Sequence, residues 1–230
     1  MPARLSEAVQ DYLKAIHSLG GADHLVTPAE IAGAMAVKAP SVTAMLKRLA
    51  EANWIEYTPG DGAKLTPSGV TEARQVVRRH RLIELFLTQV LGLDWSEVDA
   101  EAEALEHAIS PRLEQAIADY LGQPLEDPHG HPIPTSAGEL HRRTLHRLNE
   151  FQGGDSVIVR EAQDDNSDRL RHWQNLGLKP GAIVRILSYQ PLDDVFELSV
   201  GGRVLRLGSE GLVGLRGERI DEVSTHSRPD

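Results

Sequence analysis

The chain has 230 residues, of which 40% are apolar and 25% are charged, and its formal net charge is −10. This profile is typical of a folded globular protein that is long enough for two or three domains. The absence of cysteine excludes a disulfide framework and thiolate metal ligands. No apolar run reaches the roughly 20 residues that a membrane-spanning helix needs, and the N-terminus lacks a secretory pattern. We therefore expect a cytoplasmic protein with no membrane partner.

The first part of the chain has the element order of a winged helix-turn-helix. Apolar residues recur at helical spacing over residues 5–19 and predict an amphipathic helix. The motif Thr27-Pro28-Ala29-Glu30 begins a second helix with a capping box, and Pro40 or Ser41 begins a third. A β-hairpin is predicted over residues 54–65, where two short strands flank a Pro-Gly-Asp-Gly turn. Three helices followed by a hairpin are typical of this DNA-binding fold.

The middle of the chain predicts a helical region. Residues 67–91 form one long predicted helix that becomes apolar nearly all round, so it must be buried in a small helical core or at a dimer interface. A helix over residues 95–109 follows, and Ser110-Pro111 begins another. The segment Gln123–Pro134 contains four prolines and cannot form regular structure.

From Gly153 onward the pattern changes to short β-strands. Alternating and β-branched runs recur, and two of them flank Gly201-Gly202 with the signature of a two-residue hairpin. Residues 153–222 therefore predict a small β-barrel, which is followed by a polar tail.

The helix predicted over residues 95–109 carries a candidate metal site. Projected at 100° per residue, three carboxylates and one imidazole fall within about 100° of one another: Asp99, Glu103, Glu106 and His107. No lysine or arginine lies on the same turns. Such a set suits a divalent ion with roughly octahedral coordination, such as Mn²⁺ or Fe²⁺. A solvated acidic helix face is the alternative.

Three other polar residues stand out in apolar surroundings. His80 and Glu84 are spaced i, i+4 in the long apolar helix, where polar groups are costly unless they have a partner. Either a metal ion or a hydrogen bond between the two side chains would satisfy them. Asp11 lies opposite the apolar stripe of the first helix, where it is either a ligand or exposed to solvent.

Several motifs resemble the diphtheria-toxin-repressor and manganese-transport-regulator family, and this resemblance covers nearly the whole chain. The most specific piece is the proline-rich loop. The matching pieces are Asp11-Tyr12-Leu13, residues 79–84 (RHRLIE), Gly92-Leu93-Asp94, Glu103-x-x-Glu106-His107 and residues 127–134 (DPHGHPIP).

The resemblance implies a mainly α fold with β-structure in three domains. These are a winged helix-turn-helix DNA-binding domain over residues 1–73, a helical metal-binding and dimerisation domain over 74–150, and an SH3-like (FeoA-like) β-barrel with a polar tail over 151–230. The barrel could also be a packing module with no ligand role.

Two metal sites are implied by the same resemblance. The primary, activating site would use Asp11, Glu103, Glu106 and His107, completed by a main-chain carbonyl near Glu103 and by water. The ancillary site would use His80, Glu84 and Asp99, together with Glu161 and Asp164 from the barrel. Five further histidines could suggest an additional zinc site, but we interpret them as loop and surface residues: His129, His131, His141, His146 and His172.

The ligand types indicate the metal. Iron-type members have sulfur ligands at the positions of Asp11 and Glu103, so carboxylates there resemble the manganese-sensing branch. We expect Mn(II), with Fe(II) as the alternative and Zn(II), Co(II) or Cd(II) as substitutes in vitro. That branch often carries a second acid one turn after the Asp11 position, where this chain has Lys14. We therefore expect two separate sites rather than a bridged binuclear centre.

DNA contact is predicted for the second helix of the helix-turn-helix, whose N-terminal part meets base edges in the major groove. Its small side chains allow close approach to thymine methyl groups but provide few bidentate hydrogen bonds, so DNA shape should contribute to specificity. The candidates are Lys38, Ala39, Pro40, Ser41, Thr43, Ala44, Lys47 and Arg48, with Lys64 at the tip of the hairpin. A plain surface helix is the alternative.

These inferences predict a metal-dependent transcriptional regulator, most simply a repressor of metal-uptake genes. The ion would fix the first helix to the dimer core and set the spacing of two recognition helices. Expected partners are double-stranded operator DNA and a second copy of the chain, with no small organic ligand.

Two other functions stay open. One is a winged-helix regulator that is not gated by metal. The other is a Mn-dependent hydrolase, because a carboxylate–histidine cluster can activate water. We see no independent nucleophile or phosphate-binding loop, and so expect no enzyme. Whether the regulator represses or activates a given promoter is not encoded in the chain.

Overall fold

A computed structural model describes residues 5–141, 143–163 and 166–220. These residues form two compact units. The first contains the described residues up to Ile83 together with Ala102–Leu125 and Ile133–His141. The second contains Glu84–Glu101, Glu126–Pro132 and the described residues beyond His141. No helix in the described part of the chain has the length and apolar character that a bilayer span needs.

The first unit begins with the predicted winged helix-turn-helix. Its elements are α1 (Glu7–Ser18), α2 (Pro28–Ala34), α3 (Ala39–Glu51), β1 (Ile55–Thr58) and β2 (Gly62–Leu65). Thr27 caps α2 as expected, since its hydroxyl accepts a hydrogen bond from the Glu30 amide while the Glu30 carboxylate accepts one from the Thr27 amide. Apolar side chains of the three helices meet in one core, in which Leu13, Ile31 and Leu46 are fully buried.

The hairpin of this unit has a short turn between its two strands. Thr58 pairs with Gly62 at the end of the ladder, so the turn consists of residues 59–61. Lys64 pairs with Glu56 within the strands. The expectation that Lys64 stands at the hairpin tip is therefore wrong, because the register places it two residues further into β2.

Three helices follow, namely α4 (Pro67–Gln89), α5 (Val98–Glu106) and α6 (Pro111–Tyr120). Leu82, Ile83, Leu85 and Leu87 of α4 are buried, as the all-round apolar pattern predicted, whereas Val90 and Leu91 lie beyond the end of the helix and are exposed. Helix α5 is shorter than expected. The Asp94 carboxylate accepts hydrogen bonds from the amide and hydroxyl of Ser96, and this turn holds the backbone out of the helix until Val98.

The second unit contains a six-stranded antiparallel sheet in the order β3-β8-β4-β5-β6-β7. The strands are β3 (His146–Arg147), β4 (Ser156–Ala162), β5 (Ile183–Gln190), β6 (Val195–Val200), β7 (Arg203–Gly208) and β8 (Leu215–Arg219). Two 3₁₀ turns (Leu148–Glu150 and Ser209–Leu212) lie beside it. Within the described residues β3 and β7 are edge strands, so a small sheet is confirmed but closure into a barrel is not shown.

The predicted hairpin between β6 and β7 is confirmed. Val200 pairs with Arg203, and the two residues between them, Gly201 and Gly202, have φ values of 54° and 80°. Positive φ at both central positions is the type I′ geometry that glycine adopts without steric cost.

Helix α7 (Ser167–Leu176) was not predicted. The Asn166 side chain caps it by accepting hydrogen bonds from the amides of Asp168 and Arg169. Leu170 and Trp173 are buried against the sheet, and the Trp173 indole donates to the Gly211 carbonyl at 2.9 Å. Two inward-facing residues in a strongly polar segment gave too little periodicity to indicate a helix.

Candidate metal centre

A carboxylate–histidine pocket lies within the first unit, where α1 meets the end of α5. His107 Nε2 is 2.7 Å from Asp11 Oδ1 and 3.3 Å from Glu106 Oε1. Each of these three residues offers a ligand atom within 4.8 Å of the other two. We refer to Asp11, Glu103, Glu106 and His107 as the primary pocket. The structure brings three of its predicted members into direct contact, and Glu103 joins them through a lysine described below.

Glu106 is the buried centre of the pocket, with a side chain that is 0% exposed. Its Oε2 atom lies 2.7 Å from His80 Nδ1 and 2.8 Å from Lys14 Nζ. Burial acts to raise the pKa of Glu106, but the His80 hydrogen bond and the Lys14 charge outweigh it and hold the pKa below its ordinary value. Glu106 is therefore a buried carboxylate.

The second carboxylate oxygen of Glu106, Oε1, shows whether a cation fits in this pocket. Oε1 is buried and has no hydrogen-bond partner in the described part of the chain. Buried carboxylate oxygens are normally satisfied, because an unpaired one loses its hydration without compensation. This oxygen faces His107 Nε2, whose other neighbour is Asp11. Two carboxylates and an imidazole converge on one point, as a divalent ion requires.

His107 is oriented by Gln10, a residue that sequence reasoning missed. His107 Nδ1 lies 2.8 Å from Gln10 Oε1. Because an amide oxygen only accepts hydrogen bonds, Nδ1 donates this one, and Nε2 faces Asp11 and Glu106. Gln10 stands directly before Asp11 in the sequence, but nothing in its spacing marks it as more than a helix residue.

Arg79 supports this arrangement from α4. Its Nε atom donates to the Glu106 carbonyl at 3.0 Å, and its NH2 group lies 3.4 Å from Gln10 Oε1. Gln10 is itself 4% exposed and donates to the Leu5 carbonyl. The guanidinium thus contacts both the backbone of one candidate ligand and the residue that orients another.

Asp11 lies at the rim of the pocket, with 40% of its side chain exposed. Burial raises the pKa of Asp11, while the charge and hydrogen bond of His107 oppose that rise and the nearby carboxylates of Glu106 and Glu103 add to it. These carboxylates therefore resist being held together unless a cation joins them.

Lys14 supplies one such cation from the chain itself. Its Nζ atom lies 2.5 Å from Glu103 Oε1, 2.8 Å from Glu106 Oε2 and 3.0 Å from His80 Nδ1. Burial acts to lower the pKa of Lys14, but the two carboxylates together exceed that effect and raise it above its ordinary value. The helical wheel of α5 could not show this contact, because Lys14 belongs to α1.

A second group of candidate ligands lies within the second unit. Glu84 is buried, and its Oε1 atom is 3.5 Å from His129 Nδ1. The opposite ring nitrogen of His129 donates to the Trp95 carbonyl at 2.8 Å, and the imidazole stacks on the Trp95 indole with 5.2 Å between centroids. His129 lies in a loop as expected, but it is buried, so its interpretation as a surface histidine is wrong.

Asp127 organises the proline-rich loop around His129. Its Oδ1 atom accepts hydrogen bonds from the amides of His129 (2.8 Å) and His131 (3.0 Å). Asp127, His129 and His131 also present ligand atoms within 4.8 Å of one another. The loop is bound to β4, because Gly130 has φ +85° and approaches the Arg160 carbonyl so closely that a Cβ atom would lie 1.7 Å from it. Only glycine fits at that position.

The remaining predicted ligands are distributed over several elements. His80 lies on α4 and contacts Glu106, whereas Asp99 lies one turn before Glu103 on α5 and is exposed. Glu161 lies on β4 opposite Arg216 and is half-buried. Asp164 lies outside the described residues.

The predicted DNA-contacting residues form the outer face of α3. Val42, Leu46 and Leu49 point into the core. The exposed or half-exposed candidates are Lys38, Ala39, Pro40, Ser41, Thr43, Ala44, Lys47 and Arg48, and the half-buried Lys64 lies on the neighbouring hairpin. Contact of the small residues with bases, and of Lys38, Lys47 and Arg48 with phosphates, stays a prediction.

Three family models match the chain in succession. Residues 4–63 match the N-terminal DNA binding domain of the iron dependent repressor, and residues 66–135 match its metal binding and dimerisation domain. Residues 146–211 match the FeoA domain.

Individual relatives agree with these matches. The chain is 33% identical over 110 residues to an uncharacterised HTH-type transcriptional regulator of Methanocaldococcus jannaschii, covering 47% of this chain and 88% of the relative. It is 29% identical over 230 residues to the iron-dependent repressor IdeR of Mycobacterium leprae, covering 94% and 99% of the two chains.

A solved structure is similar over nearly the whole chain. It is a manganese-dependent transcriptional repressor in complex with manganese, with a TM-score of 0.84 at 31% identity, covering 92% of this chain and all of that one. These relatives are regulators of transcription and not enzymes. The chain therefore belongs to the iron-dependent repressor family of metal-dependent, DNA-binding transcriptional regulators.

Proposed function

We propose that this chain binds operator DNA as a homodimer when Mn²⁺ or Fe²⁺ occupies the primary pocket, and that it represses genes for metal uptake. The observation that carries the proposal is the unpartnered oxygen of Glu106, which is buried and faces His107 Nε2 beside Asp11. A regulator of this kind acts at its operator, so the proposal places it in the cytoplasm. The proposal also keeps the expected division into three domains, with boundaries after residues 73 and 150.

The residues present fit a divalent ion. Asp11, Glu106 and His107 would hold it, with Glu103 close by on the same face of α5. When bound, the ion supplies the positive charge that lets these carboxylates stand together. Gln10 keeps His107 Nε2 turned toward that position, and Arg79 holds the Glu106 backbone in place. The pocket is thus largely organised before any ion arrives.

The proposed switch follows from where the candidate ligands lie in the sequence. Asp11 belongs to α1 of the winged helix-turn-helix, whereas Glu106 and His107 stand at the end of α5. Like charges disfavour the joined arrangement, and its population rises only if the ion binds it more tightly than the open one. A differential affinity of a few kcal/mol is sufficient for such a shift. A dimer would then hold two α3 helices at the spacing of successive major grooves.

The choice of metal rests on ligand chemistry and on the relatives. Carboxylates with one imidazole favour hard and borderline ions, and they do not exclude zinc-like ions in vitro. The similar solved structures include a repressor with manganese and another, ScaR, with Zn²⁺ or Cd²⁺. Mn²⁺ is therefore the first candidate, followed by Fe²⁺.

An ancillary ion forms a second part of the proposal. In the second unit, His129 donates from Nε2 to a carbonyl, so its Nδ1 atom is turned toward the Glu84 carboxylate, 3.5 Å away. Asp127 and His129 also present ligand atoms within 4.8 Å of each other. We therefore add His129 and Asp127 to the expected ligands of this site, which were His80, Glu84, Asp99, Glu161 and Asp164.

Operator binding tests the proposal. Fluorescence anisotropy with DNA from the protein's own upstream region and from metal-transporter promoters would be measured with Mn²⁺, with Fe²⁺ and with chelator. We expect binding only with metal, and its loss in Asp11→Ala and Glu106→Ala. Glu101→Ala, an exposed acid on the same helix, is the matched control and should behave as wild type.

The alternatives give different results in the same experiment. Operator binding that a chelator does not change indicates a regulator that is not gated by metal. A reporter gene whose expression rises with metal and depends on this chain indicates an activator at that promoter.

A further inference from the structure

Lys14 lies inside the primary pocket rather than on the surface around it. The residue stands one turn after Asp11 on α1, and only 16% of its side chain is exposed. Two carboxylate oxygens and one imidazole nitrogen surround its Nζ atom at 2.5 to 3.0 Å. Glu103 and Glu106 each accept a hydrogen bond from this ammonium group, whereas His80 Nδ1 donates to Glu106 Oε2 and so does not accept one from Nζ.

Glu106 divides its two oxygens between this ammonium and the candidate metal position. Oε2 contacts Lys14 Nζ, and Oε1 faces Asp11 and His107 without a hydrogen bond of its own. A carboxylate whose oxygens point to two neighbouring cation positions has the geometry of a bridging ligand. One of those positions is filled by the chain itself.

We propose that Lys14 is a built-in second cation of the primary pocket, which limits the pocket to one divalent ion and attaches α1 to α5 before that ion binds. This inference rests on the proposed function, since it concerns the same pocket. It assigns a role to a residue that is neither a metal ligand nor a DNA contact.

The charges in the pocket agree with this role. Asp11, Glu103 and Glu106 contribute three negative charges, and Lys14 contributes one positive charge. The remaining two negative charges are neutralised by a single divalent ion. A second divalent ion would have to replace the ammonium between Glu103 and Glu106, and would leave Lys14 a buried cation among like charges, which is strongly unfavourable.

The position of Lys14 also affects the metal-free protein. Its ion pairs join α1 to α5 without any metal, so part of the attachment is already made in the apo state. Removing one partner of a buried pair is costly because it leaves the other charge uncompensated. An ion pair with a purely structural role would also attach α1 to α5. The number of bound metal ions therefore has to distinguish that role from the proposed one.

The test compares the full-length wild type with Lys14→Glu and Lys14→Arg. Each protein is stripped with chelator and titrated with Mn²⁺, and bound ions are counted by native mass spectrometry. Electron paramagnetic resonance then reports whether two Mn²⁺ ions are close enough to couple. His107→Ala in the wild-type background identifies which ion belongs to the primary pocket.

We expect the wild type and Lys14→Arg to bind one His107-dependent ion with the resolved signal of isolated Mn²⁺. Lys14→Glu should bind one more ion per chain and show a coupled Mn²⁺ pair. A Lys14→Glu protein that folds and gains no coupled ion overturns the inference. So does a coupled pair in the wild type itself, which is measurable even if the variant fails to fold. If His107→Ala loses no ion at all, the proposed function fails instead.

Discussion

The Nε2 atom of His107 lies 2.7 Å from Oδ1 of Asp11, which joins the end of α5 to the first helix of the winged helix-turn-helix. Nothing local in the chain brings these two residues together. The contact is supported by Arg79 of α4, which hydrogen-bonds to Gln10, and by Gln10 itself, which turns Nε2 of His107 toward the carboxylates. Under the proposed function, metal sensing and DNA binding meet at this side-chain pair.

Gln10 is predicted to act as a positioning residue for metal binding. Gln10→Leu removes the acceptor of His107 Nδ1 and frees the imidazole to rotate, so Mn²⁺ affinity should fall about 10–100-fold, the usual effect of losing such a partner. Isothermal titration calorimetry measures the affinity, and nitrogen-15 NMR of His107 should report a changed tautomer. Gln115→Leu on the exposed face of α6 is the control. An unchanged tautomer with normal affinity contradicts the assignment.

Lys47 and Arg48 are predicted to bind phosphate rather than bases. Each change to alanine should weaken binding to all DNA sequences about equally, and should reduce the slope of log affinity against log salt by roughly 1. Anisotropy titrations at several salt concentrations, with specific and scrambled DNA, give both quantities. Lys179→Ala, an exposed cation in the second unit, should change neither. A selective loss for the specific sequence would instead assign these residues to base readout.

Asp127 is predicted to stabilise the proline-rich loop by itself, without metal. Asp127→Ala leaves the amides of His129 and His131 without their acceptor, which costs about 1–3 kcal/mol for a buried donor. Each kcal/mol corresponds to about 2–4 °C in melting temperature for a chain of this size. Asp127→Asn keeps an acceptor oxygen and should lose less. Equal melting temperatures for wild type and Asp127→Ala in chelator would show that the loop needs no such support.

Asp94 gives a prediction about pH. The hydrogen bonds from Ser96, aided by Gln174 and the charge of Arg171, hold the pKa of Asp94 below its ordinary value. A carboxyl whose pKa is lowered by folding contributes stability above its unfolded pKa, and loses that contribution as the pH falls through the folded pKa. Asp94→Asn should therefore melt below the wild type at neutral pH. The difference should shrink as the pH falls below about 4.

Differential scanning fluorimetry of both proteins across that range measures the effect of pH. Asp193→Asn, an exposed acid in the turn between β5 and β6, is the matched control. A difference that grows on acidification would contradict the sign derived for Asp94.

Local patterns accounted for most of the fold. The apolar spacing of α1, the capping box at Thr27 and the two glycines after β6 each determine structure over a few residues, and each was predicted. Helix α7 was not predicted, because only Leu170 and Trp173 face inward in an otherwise polar segment. The turn of the first hairpin was also predicted, but Lys64 was wrongly assigned to its tip, since it pairs with Glu56 within the strands.

The pocket was predictable in its members but not in its connections. A helical wheel collects Glu103, Glu106 and His107 on one face of α5, and the family resemblance adds Asp11. A helical wheel describes a single helix and so cannot show contacts between two helices. The ion pairs of Lys14, the hydrogen bond of Gln10 and the burial of His129 are of that kind, and each became visible only in three dimensions.

Anomalous diffraction from crystals soaked in Mn²⁺ tests the central claim most directly. The account predicts a manganese peak coordinated by Asp11, Glu106 and His107, with Lys14 Nζ still between Glu103 and Glu106. Manganese bound only elsewhere, with Asp11 turned away from the end of α5, would contradict it.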